Sequence, residues 1–165
     1  MAKQRMLATR AYGAEPGLPD AAGLAGWVAE HRGMAADLTT YLLEASLSPQ
    51  VSAGIGTPCA GGKFYAGRIR QCISGIHEYR AVGEIHADTS PITDDAAGIV
   101  VQQKGAWCAL PAPHLLGIRN THYGDPDEWN EAIAGVYRTV MRAMRDTGIP
   151  GNVLIGERMI SGELA

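Results

Sequence analysis

The segment GIHEYRAVGEIHAD, residues 75–88, gathers two histidines, two glutamates and an aspartate in fourteen positions. Glu84, His86 and Asp88 alternate with Ile85 and Ala87, so on a strand the three polar side chains share one face. Neighbours at i and i+2 stand roughly 6–7 Å apart, so one metal ion takes two of them and needs a third ligand from elsewhere. If residues 80–83 (RAVG) form a hairpin loop, Tyr79 pairs with Glu84 and His77 with His86. His77, Glu84 and His86 then converge into an acid–base cluster or a site for a divalent metal. A second register stays open: a turn at Ser74–Gly75 sets Cys72 opposite His77 and makes a cysteine–histidine pair. The plainer alternative is a half-buried strand with Ile85 and Ala87 inward and a solvated polar face.

A second stretch, GIGTPCAGGKF at residues 54–64, has the glycines and lysine of a phosphate loop. The P-loop spacing G-x-x-x-x-G-K-[ST] puts its first glycine at Thr57 and its magnesium-binding hydroxyl at Phe64, and FYAGRIRQC does not read as the start of a helix. The dinucleotide spacing fails too, with Cys59 where the last glycine belongs. No nucleotide cofactor is expected. The backbone amides of Gly61 and Gly62, with the charge of Lys63, still suit a carboxylate or a phosphate monoester. Cys59 beside them is a candidate nucleophile or substrate contact. The alternative is a turn that lets two strands meet.

The third group lies in LPAPHLLGIRNTHYGD, residues 110–125, with His114, Arg119, Asn120, His122 and Tyr123. Arg119 suits an anionic group and His122 a general acid or base. An ordinary surface connection with local hydrogen bonds explains the same residues.

These groups need elements to hold them. In residues 20–46, Asp20 reads as an N-cap, and Leu24, Trp27, Val28 and His31 lie on one helix face. Arg32–Gly33 interrupts; Leu38, Tyr41, Leu42 and Ala45 form a second stripe, and SLSPQ ends it. From about Gln50 to Gly117 the period changes. KFYAGRIRQCISGI, EIHAD and AGIVVQQKGAWCAL read as strands, with QQKGAW a hairpin turn between Ile99–Val101 and Ala106–Leu110. A long helix follows, capped by Asp125 with Pro126 at its first position, buried along Trp129, Ile133, Val136, Val140 and Met144, and closed by Gly148. NVLIGERMI returns as a strand.

The expected fold is α+β: a mainly antiparallel sheet, with two N-terminal helical segments and one long C-terminal helix packed on one face. Residues 1–20 read as an arm, partly docked or mobile, and residues 21–165 as a single domain. The sheet's free face suits a homo-oligomer.

Composition narrows the partners. A net charge of −3 over 165 residues gives no basic footprint for nucleic acid. No apolar run approaches the roughly 20 residues that cross a bilayer. Three cysteines without CxxC spacing fit reduced thiols in the cytoplasm rather than a zinc site or a disulfide framework. The expectation is a small enzyme acting on a small anionic metabolite, of lyase, isomerase or hydrolase type. His77, Glu84, His86 and His122 supply its acid–base or metal chemistry, and Cys59, Gly61, Gly62, Lys63 and Arg119 hold the substrate. The alternative is a non-catalytic ligand-binding or assembly domain.

Overall fold

The computed structural model describes residues 8–31 and 36–158. The Asp20 carboxylate accepts the Gly23 amide at 2.7 Å and opens helix α1 (Ala21–Glu30). Leu24, Trp27 and Val28 are its half-buried residues, on the stripe read from sequence, and none is fully buried. Asp37 and Thr40 form a capping box at the start of α2 (Leu38–Ser52), whose buried face is Leu42, Leu43, Ser46 and Leu47. The stop expected at SLSPQ does not hold, because Pro49 lies inside this helix. The missing N–H costs a single bond near the end of the helix. Gln50 ties the same turn to Cys59, with bonds to the Ser46 and Cys59 carbonyls at 2.7 and 2.9 Å.

The chain is α+β, but its sheets are not mainly antiparallel. Strands β1 (Cys59–Gly61), β4 (Trp107–Pro111) and β6 (Asn152–Ile155) form a wholly parallel sheet in the order β1–β4–β6. Strands β2 (Ile73–His77), β3 (Arg80–Ala87) and β5 (Arg119–Asn120) form a second sheet, with β2 antiparallel and β5 parallel to β3. Parallel neighbours need long crossovers, normally helical. Two of those helices are α3 (Ala66–Gln71) and α4 (Ser90–Gln102); α3 lies wholly, and α4 from Ala97 onward, in segments expected to be extended. Ile99–Val101 therefore belongs to a helix, and Gly105 turns the chain from α4 into β4 rather than closing a hairpin. The signal in α4 is the spacing of Ile92, Ala96 and Ile99, which the β-branched run Ile99–Val100–Val101 masks.

Helix α5 (Pro126–Thr147) follows the expected pattern closely. Asp125 accepts the Asp127 amide at 2.8 Å, Pro126 opens the helix, and Gly148 closes it at φ +119°. Its buried face is Ile133, Val136, Tyr137, Val140 and Met144, with Trp129 half-buried. The helices are not ranged on one face of one sheet: α2 lies on β1, and α5 on β3 and α4. Leu47, Tyr65, Ile69, Ile92, Leu110, Leu116 and Met144 are fully enclosed in the shared core.

Candidate functional site

Helix α4 buries Ile92, Asp95, Ala96 and Ile99, positions i, i+3, i+4 and i+7 of one face. An aspartate on that face enters the core with its neighbours, and Asp95 is only 3% exposed. A buried carboxylate must be paired or lose its charge. The Tyr65 hydroxyl, from a single helical turn at Lys63–Tyr65, donates to Asp95 Oδ2 at 2.7 Å. Arg68 of α3 donates its Nε to the same oxygen at 2.8 Å. Its other guanidinium nitrogens reach Asp37 Oδ2 at 2.6 Å and Gln71 at 2.8 Å. One guanidinium thus joins α3 to both α2 and α4. The second oxygen, Asp95 Oδ1, has no hydrogen-bond partner.

The electrostatics follow from burial. Loss of water pushes the Asp95 carboxyl up, against the pull of the Tyr65 hydroxyl and Arg68. Burial opposes the charge on Arg68, but Asp95 and Asp37 outweigh it and hold the guanidinium firmly ionised. Burial and the neighbouring Asp95 also keep Tyr65 a phenol, able to donate.

Asp95 also lines a cleft of about 660 Å³ between α1, α2 and α4, a usual size for a small-molecule pocket. Trp27 and His31 form one wall, their rings stacked at 4.0 Å. Glu44 of α2 accepts the Trp27 indole N–H at 3.2 Å and lies 3.6 Å from His31 Nε2. His31 Nδ1 donates to the Trp27 carbonyl at 2.7 Å. Thr40, Asp94 and Gln102 complete the polar lining, and no lysine or arginine lines it among the described residues. Sequence reasoning missed Asp95, Tyr65, Arg68 and Glu44. The available signal was a carboxylate at i+3 on the Ile92–Ala96–Ile99 stripe.

The residues expected to form a site are scattered. The β2–β3 hairpin turns at Glu78–Tyr79, not at residues 80–83 or 74–75. His77 therefore faces Arg80, and His86 faces Ser74, with a bulge at Gly75 between them. His86 lies 3.8 Å from Glu84, and His77 4.0 Å from Glu78, with all four side chains exposed. Ile85 is buried and Ala87 half-buried opposite them, as a solvated strand face requires. The hairpin does not bring His77, Glu84 and His86 together as metal ligands, and no group of three or more His, Cys, Asp or Glu that could hold a metal occurs among the described residues. Cys72 caps α3 and is buried, away from His77. Arg119 and His122 are exposed at and just beyond β5.

Within the glycine stretch, Gly62 does follow strand β1, and FYAGRIRQC does run into a helical turn at Lys63–Tyr65 and then α3. The groups of the stretch are taken up by the chain itself. Gly61 donates to Ser46 Oγ at 3.1 Å and accepts the Ala14 amide at 3.0 Å. The Lys63 amide donates to the Glu15 carboxylate at 2.5 Å, and Lys63 Nζ pairs with Glu157 at 2.9 Å. Cys59 is wholly buried and burial pushes its thiol up to about 11, which removes the thiolate a nucleophile needs.

No family model matches this sequence, and no curated protein or solved structure is found to match it.

Proposed function

We propose that this protein handles a small molecule in the cleft between α1, α2 and α4, with Asp95 as its acid–base group. The observation that carries the reading is the buried carboxylate on that cleft with one oxygen unpartnered. A carboxyl raised above its ordinary value by burial and held in place by fixed donors is the kind of group that serves in proton exchange. The expected histidine–carboxylate chemistry thus passes from the β2–β3 hairpin to Asp95, His31 and Glu44. Both nitrogens of His31 face acceptors, Trp27 O and Glu44, which favours a second form of the same reading: ligand binding without turnover.

The test is a fragment screen read by amide and indole NMR. Fragments that bind are expected to shift the Trp27 indole N–H and the amides of residues 94–102, and to lose affinity in Asp95→Asn. A screen in which no fragment moves these resonances contradicts the proposal.

The expected anionic ligand has one specific support, the Glu15 carboxylate seated on the Lys63 amide. An external carboxylate or phosphate would compete for that place, and Glu15→Gln would tighten it. A homo-oligomer is supported by β6, an edge strand with Leu154 exposed, and is tested by light scattering. Three buried free thiols suit the expected cytoplasmic setting.

A further inference from the structure

We propose that the ligand of this cleft carries a protonated amine on a small apolar body, and that its ammonium group is held at Asp95. This rests on the reading of the cleft as the ligand site and names the chemistry that fills it.

Positive charge around Asp95 falls short of negative. Asp95 and Asp37 are both served by Arg68, one cation for two carboxylates. Asp37 is half exposed and can use water, whereas the Asp95 side chain is 1% exposed and cannot. The deficit of positive charge therefore falls at Asp95. The donors to Asp95 are unevenly distributed. Both donors that reach Asp95, Tyr65 and Arg68, bond to Oδ2. Oδ1 receives nothing, and a buried carboxylate oxygen without a donor costs free energy that a bound N–H recovers.

The wall of the cleft is acidic. Its carboxylates are Glu44, Asp94 and Asp95, and among the described lining residues only His31 can carry positive charge. An anion entering this space is repelled by three carboxylates of the lining, whereas an ammonium is attracted by all of them. The rest of the lining is mainly apolar, with Leu43, Ile99 and the Trp27 ring available to an alkyl or aromatic body. The amine takes no covalent step in this account. It donates a hydrogen bond to Oδ1 and balances one charge.

The test uses three probes with one body and different head groups: benzylamine, benzyl alcohol and benzoate. Each is titrated into the 165-residue chain at neutral pH and followed by the Trp27 indole N–H resonance. Benzylamine is expected to bind about tenfold or more tighter than benzyl alcohol, with benzoate weakest. Asp95→Asn should bring the amine and the alcohol to similar affinity. Should that variant fail to fold, Glu44→Gln, on the exposed side of the cleft, should narrow the same gap by a smaller factor. Equal or tighter binding of the alcohol or of benzoate overturns the amine proposal and leaves the cleft standing. Fragments that bind while all three probes fail do the same. No response to any fragment or probe removes both.

Discussion

At the residue scale the account turns on a buried charge network, and its members should respond unequally to mutation. Arg68→Met leaves Asp95 buried without its cation, and should cost about 3–5 kcal/mol of stability. Asp95→Asn keeps the shape, removes the buried negative charge, and leaves Arg68 its pairing with Asp37, so it should cost less. The pH dependence has a definite sign. Burial raises the Asp95 carboxyl above its ordinary 3.8, so the folded state holds that proton more tightly than the unfolded chain. The stability it contributes is complete below 3.8 and is lost as pH rises through the folded value. Asp37 acts oppositely. Burial raises it, but the Thr40 amide and Arg68 prevail and lower it, so its contribution is lost as pH falls. Urea unfolding of wild type and Asp95→Asn at pH 4 and pH 7 separates the two, because only the Asp95 contribution disappears in the variant. Wild type should lose ground to Asp95→Asn between pH 4 and pH 7; a constant difference would remove the raised carboxyl from the account. The network was hard to read from sequence because Tyr65, Arg68 and Asp95 span 31 positions and meet only in the folded core. Polar alternation around His86 is easier to see, and it describes a solvated strand.

At the element scale, legibility follows the range of the interactions that decide each element. Helix α5 is local: cap, first-turn proline, apolar period and terminal glycine lie in one stretch, and they place it to within a residue or two. The parallel sheet is not, since β1, β4 and β6 pair across intervals of more than 40 residues. Nothing in Cys59–Gly61 alone marks it as a partner of Trp107–Pro111. The β2–β3 turn was misplaced for a different reason. Glu78 and Tyr79 both adopt positive φ, +47° and +60°, a conformation for which Asn-Gly is the usual choice. The Arg70 guanidinium lies 4.8 Å from the centre of the Tyr79 ring, a contact that favours the tyrosine there. Glu78 has only exposed ion pairs, which contribute little. Glu78→Asn should therefore raise stability by about 0.5–1 kcal/mol with the hairpin register unchanged. A loss of stability would mean that the ion pairs of Glu78 outweigh its backbone strain.

At the scale of the whole molecule, the chain closes over its own glycine loop. Residues 9–15 run beside β1, with Thr57 donating to Thr9 at 2.9 Å, Ala11 to Thr57 and Ala14 to Gly61 at 3.0 Å. Arg10 lies 4.3 Å from the centre of the Trp107 ring and covers the sheet. Gly62 is necessary for this approach, because an added Cβ would collide with the Ala14 carbonyl oxygen. Gly62→Ala should free the arm, so that the Ala11 and Ala14 amides exchange quickly and Trp107 fluorescence changes. Retained protection at both amides would contradict the docking. The loop that resembles a phosphate cradle in sequence is therefore occupied by the protein's own backbone and by Glu15. The open cleft lies elsewhere, between helices that meet around Asp95. The most direct test of that claim follows the side-chain carboxyl carbon of Asp95 by ¹³C NMR during a benzylamine titration at neutral pH. This resonance is expected to move in step with the Trp27 indole N–H. An Asp95 carboxyl that stays fixed while the indole responds would contradict that claim.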